Sequence, residues 1–118
     1  MAADEKRKGP RIQSSNLISY VSRDENDQEI MQGMGRTLNV SEGGILLETH
    51  VPIDPHHVVT LTIALEDELM EFKGMVVHSM KRKQGGFTSG IKFMEMNEEK
   101  RQFLGQYVIF FRGQETMI

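Results

Sequence analysis

The chain has 118 residues, a net charge of −3, 38% apolar residues, nine Met, and neither Cys nor Trp. Without Cys there are no disulfides, thiolate metal sites or cysteine nucleophiles, and the acidic balance argues against a protein that grips long nucleic acid through its phosphates. No apolar run approaches the roughly twenty residues of a membrane helix and no hydrophobic leader opens the chain, so a cytoplasmic single domain with no membrane insertion and one aliphatic, Met-filled core is expected.

In chain order, residues 1–11 are charged and punctuated by Gly9 and Pro10, which predicts a flexible basic segment. Lys6, Arg7, Lys8 and Arg11 put four cations into six residues. Pro10 keeps Gly9 out of a helix, so Arg7 and Arg11 are splayed along a loop instead of stacked on one face. Residues 12–21 alternate, with Ile18 and Tyr20 opposed to Leu17 and Val21, and predict a first strand. Arg23 to Gln28 is a polar turn. A second strand follows over 29–38, where Gly33 and Gly35 point to bulges or barrel corners.

Asn39-Val40-Ser41-Glu42-Gly43-Gly44 is a turn-forming cluster that runs directly into the short strand 45–49. Pro52 and Asp54-Pro55 make a loop. Residues 58–65 alternate strictly, with Val59, Leu61, Ile63 and Leu65 on one face. After a turn at 66–68, the strand 70–80 places Phe72, Gly74 and Val76 together. Lys81 to Gly86 is a charged hairpin connection, and Phe87, Ser89, Ile91 and Phe93 alternate through a last strand. Asn97 is an N-cap followed by acidic Glu98 and Glu99. Phe103, Leu104, Tyr107, Val108 and Phe111 then recur at helical spacing, with Gly113 as the expected stop and 114–118 as a short tail. That aromatic stripe is expected to close one open end of the sheet.

Catalysis finds little support. His50, His56, His57 and His78 complete no metal-ligand spacing with the carboxylates. Glu66, Asp67, Glu68 and Glu71 fit a solvated hairpin, and no nucleophile elbow, Walker loop or dinucleotide fingerprint is present. No enzyme, metal or cofactor is expected.

Two clusters carry the functional signal: Arg7-Lys8-Gly9-Pro10-Arg11, reading RxxxR, and Asn39 to Gly44, reading NxSxxG. By composition the first pattern arises by chance roughly 0.4 times in such a chain and the second roughly 0.05 times. Their order, and a closing strand containing Gly90-Ile91-Lys92-Phe93, resemble the PilZ domain family over nearly the whole chain. The resemblance implies a six-stranded antiparallel β-barrel over 12–113 with a C-terminal helix. It also implies a receptor for cyclic di-GMP that performs no chemistry on it. Arg7 and Arg11 would take guanine edges, ring faces and nearby phosphate oxygens, since an Arg fork matches guanine O6 and N7 and stacks flat on a base. Lys6 and Lys8 would add unfocused attraction for the diesters. Asn39, where the family has Asp or Asn, would accept from guanine N–H groups. Ser41 would reach a base edge or phosphate, and Gly43 and Gly44 would permit φ > 0 and a close ligand approach. An unidentified effector protein in motility, adhesion or exopolysaccharide control would read the ordering of the arm. Two other readings are a PilZ-like interaction module without ligand binding and a small barrel for single-stranded nucleic acid. The intact motifs oppose the first, and the scarcity of aromatics opposes the second.

Overall fold

The computed structural model describes residues 17–116. The RxxxR segment, with Lys6, Arg7, Lys8 and Arg11, and the expected start of the first strand lie outside the described residues. Six strands follow: β1 (Leu17–Arg23), β2 (Glu29–Val40), β3 (Gly44–Thr49), β4 (Val58–Leu65), β5 (Glu68–Lys81) and β6 (Phe87–Met94), then one helix, α1 (Glu98–Thr116). All pairings are antiparallel and the sheet closes on itself in the order β1-β2-β3-β6-β5-β4. Closure gives every strand a paired neighbour on both sides over part of its length. The expected six-stranded barrel with one C-terminal helix is what is found.

Alternation decides what fills the barrel. Ile18 and Tyr20 of β1, Leu47 of β3, Val59, Leu61 and Ile63 of β4, Phe72 and Val76 of β5, and Ile91 of β6 all point inward and are buried. At one end α1 acts as a plug, burying Phe103, Leu104, Tyr107 and Phe111. Phe72 stands between Phe93 and Phe103, with ring centroids 5.6 and 5.9 Å away, so the aromatic stripe joins the barrel core as expected. The Tyr107 hydroxyl and Thr37 Oγ1 share a buried 2.9 Å hydrogen bond that pins the helix to β2.

Asn97 caps the helix as expected, its Oδ1 accepting the Lys100 N–H at 2.8 Å. Three details differ from the sequence reading. β1 runs on to Arg23, because the turn is organised by Asp24, whose Oδ1 accepts from the N–H groups of Asn26 and Gln28. The helix passes through Gly113 to Thr116, and Gly113 is not among the residues with positive φ, so no left-handed stop forms there. Gly33 and Gly35 sit in regular register opposite Tyr20 and Ile18, not at bulges. They make room for neighbours: a Cβ on Gly35 would lie 2.7 Å from Leu47 Cγ, and one on Gly33 would lie 3.1 Å from the Tyr20 hydroxyl.

Candidate ligand-binding site

The bulge in β2 that bears on the site is at Leu38. Thr37 pairs with Leu47 and Asn39 with Leu46, so two steps on β2 match one on β3. Gly35 and Thr37 are buried on the inner face, and simple alternation would send Asn39 inward after them. The extra residue reverses the parity, so Asn39 faces outward and Val40 becomes the core residue. A second bulge, at Val77 of β5, does the same on the other side of the sheet. Val76 pairs with Ile91 and His78 with Gly90, which turns His78 outward although Phe72, Gly74 and Val76 before it all point in.

These two reoriented side chains end one row on the outer surface. Asn39 lies beside Leu46, Leu46 beside Gly90, and Gly90 beside His78. Four adjacent strands about 4.8 Å apart separate the row's ends by about 14 Å. The row floors an open cleft of about 330 Å³ that also takes in Ser41, Gly43, Gly44, Val77 and Lys92. The structure therefore brings Asn39, Ser41, Gly43 and Gly44 together on one surface.

The loop at the cleft's edge is preformed. The Ser41 N–H donates to the Gly44 carbonyl at 2.9 Å, the Gly43 N–H to Ser41 Oγ at 3.3 Å, and the Phe93 N–H to the Gly43 carbonyl at 3.1 Å. Asn39 Oδ1 accepts the Val40 N–H at 2.9 Å. Among the described residues this leaves the Asn39 amide N–H groups and one oxygen lone pair for a ligand, and the Ser41 hydroxyl proton without an acceptor.

The expected positive φ is absent at both glycines. A Cβ on Gly44 would collide with the Ile91 carbonyl oxygen of the paired strand, so this glycine serves β3–β6 pairing. Gly43 meets nothing within 4 Å and leaves the backbone open to the cleft.

Sequence reasoning missed His78, Gly90 and Lys92 as members of the cleft. One signal was available: the adjacent Val76 and Val77 break the alternation just before His78. A larger hollow of about 480 Å³ lies between Leu17, Met34 and the 84–86 turn, but it contains none of the described motif residues. Its Arg36 and Glu48 are paired with each other, and Glu48 also accepts from Arg82. Burial raises the Glu48 carboxyl pKa, and the hydrogen bonds and charges of Arg36 and Arg82 more than offset this, so it lies below the usual value. Among the described residues no three His, Asp or Glu side chains are placed to hold a metal ion, and no helix is long and apolar enough to cross a membrane.

The family model for the PilZ domain matches residues 5–110. An uncharacterised protein of Aquifex aeolicus (strain VF5) is 29% identical over 107 residues, covering 89% of this chain and 49% of that protein, so the chain spans about half the length of this relative. Among solved structures, the PilZ domain with c-di-GMP of YcgR from Escherichia coli matches with a TM-score of 0.64 at 9% identity, over 84% of each chain. The PilZ domain of CeSA from a cellulose-synthesising bacterium matches with a TM-score of 0.58 at 13% identity, over 81% of this chain and 93% of that one. MrkH of K. pneumonia in its apo state matches with a TM-score of 0.58 at 12% identity, over 85% of this chain and 48% of that one.

Proposed function

The chain belongs to the PilZ domain family, and from that premise we propose that it is a cyclic di-GMP receptor whose N-terminal arm closes over the nucleotide and whose altered surface is read by a partner protein. The carrying observation is the outward cleft in which the Leu38 bulge sets Asn39 beside the preformed Ser41–Gly44 loop. Guanine offers both donors and acceptors on its edges, which suits an amide with free N–H groups next to a hydroxyl.

Chain reach supports the same reading. Leu17 pairs with Arg36, and β2 continues three residues to Asn39, about 10 Å at ~3.3 Å per residue. Arg11 stands six residues before Leu17 and so has a span of up to about 20 Å, with more slack for Arg7. Both guanidinium groups can therefore meet a ligand seated on the cleft, supplying the positive charge and the stacking planes that its Asn39 and Ser41 side lacks.

The test is a titration of the full chain with cyclic di-GMP, GTP and a short single-stranded oligonucleotide, followed by amide NMR. Cyclic di-GMP alone should move the signals of residues 6–11 and 39–44. Arg7→Ala or Arg11→Ala should each weaken binding by about 1–3 kcal/mol in calorimetry with the fold unchanged. Signals that stay in place at saturating cyclic di-GMP would defeat the reading and favour an interaction module without ligand.

A further inference from the structure

Resting on that reading, we infer that the opposite wall of the cleft is a second binding element for the same ligand: His78 is a platform for one purine ring and Lys92 an anion contact for a phosphodiester. Three observations converge on His78. The bulge at Val77 reverses strand parity to bring its side chain out of the barrel. The imidazole lies against Gly90, where any Cβ would fall inside contact distance of Nε2, so only glycine admits the ring in this pose. Both residues line the cleft that holds Asn39 and Ser41. A flat ring laid on backbone presents its other face outward, and such a face stacks on a nucleobase without reading its sequence.

Lys92 stands two residues along β6 from Gly90, paired with Gly44 on one side and Met75 on the other. Among the described residues lining the cleft it is the one with a permanent positive charge. Neither His78 nor Lys92 has a side-chain hydrogen bond or ion pair with another described residue. By contrast Lys73, on the neighbouring strand, pairs with Glu95 at 3.6 Å. Lys92 also borders a second hollow beyond Gly43, shared with Glu42, Met96 and Arg101. An ammonium with no ion pair among the described residues, on a shallow, partly apolar floor, suits a ligand that carries two diester charges on a cyclic frame.

The decisive experiment is calorimetry of cyclic di-GMP with the wild-type chain and with His78→Ala, His78→Phe, Lys92→Gln, Lys92→Arg and Lys73→Gln, at low and high salt. Stacking predicts a loss of about tenfold or more in His78→Ala and near wild-type affinity in His78→Phe. A diester contact predicts a several-fold loss in Lys92→Gln that narrows at high salt, with affinity retained in Lys92→Arg and Lys73→Gln. If the wild type binds and His78→Ala and Lys92→Gln bind equally well, this inference is overturned while the receptor reading stands. If His78→Phe is as weak as His78→Ala, the platform role is overturned. A wild-type chain that does not bind removes both.

Discussion

At Gly44 and Ser89 the surrounding residues decide what a side chain there costs the fold. Gly44 occupies a motif place, yet its missing side chain is required by the Ile91 carbonyl across the β3–β6 ladder. Gly44→Ala should therefore destabilise the fold by about 1–3 kcal/mol through overpacking, whereas Gly43→Ala, facing open space, should leave urea midpoints unchanged. Equal midpoints for the two variants would contradict this. Loss of binding in Gly44→Ala is thus no measure of ligand contact, and Asn39 and Ser41 are the informative positions. Ser89 is fully buried inside the barrel, and its hydroxyl has no hydrogen-bond partner among the described residues. Such an unpaired buried group carries a desolvation penalty, so Ser89→Ala should raise stability by about 1 kcal/mol. A clear drop in the urea midpoint would mean that the hydroxyl is satisfied after all.

At the scale of elements, α1 is anchored by Tyr107 as well as by its apolar stripe. Burial pushes the Tyr107 phenol above its ordinary pKa, with the Thr37 hydrogen bond acting the other way, and burial alone raises Tyr20. The sign follows from which state ionises first. Below the ordinary tyrosine value, about 10, both folded and unfolded chains are neutral there and the full stability is present. As pH rises past it the unfolded chain ionises while the folded one resists, so stability falls towards the raised folded values. Tyr107→Phe should cost about 1–2 kcal/mol at neutral pH, because Thr37 loses its buried partner. It should also show a shallower alkaline decline than the wild type in urea midpoints measured from pH 8 to 11. Parallel declines would rule out a Tyr107 contribution.

Elements also mark the boundary of what could be read beforehand. Strand faces were legible wherever alternation ran unbroken, as in β4 and in Phe72, Gly74 and Val76 of β5. The Asn97 cap and the aromatic stripe were legible because each rests on short-range spacing. The bulges at Leu38 and Val77 were not, because a bulge is a relation between two strands and leaves only a local break in one of them. That is why Asn39 was found as a motif residue with no account of how it reaches the surface, while His78 and Lys92 were passed over. Gly33 and Gly35 were misread for the same reason: what they accommodate, Tyr20 and Leu47, belongs to other strands.

For the whole molecule, the barrel closes through the β1–β4 pairing of Ser19 to Arg23 with Val58 to Thr62, and the core of the described residues begins at Ile18. The six described strands close the barrel by pairing with one another, while the proposed function needs residues 1–11. This separates folding from binding in one truncation. A chain lacking residues 1–11 should keep the urea midpoint of the full chain in the absence of nucleotide. With cyclic di-GMP at about 100 times its dissociation constant, the full chain should gain about 2.7 kcal/mol of stability, since ligand that binds only the folded state adds RT ln(1 + [L]/Kd). The truncated chain, left with Asn39, Ser41 and the β5–β6 wall but no guanidinium forks, should gain little at the same concentration. Equal stabilisation of both chains would show that the barrel surface binds alone and that the arm has no part in it.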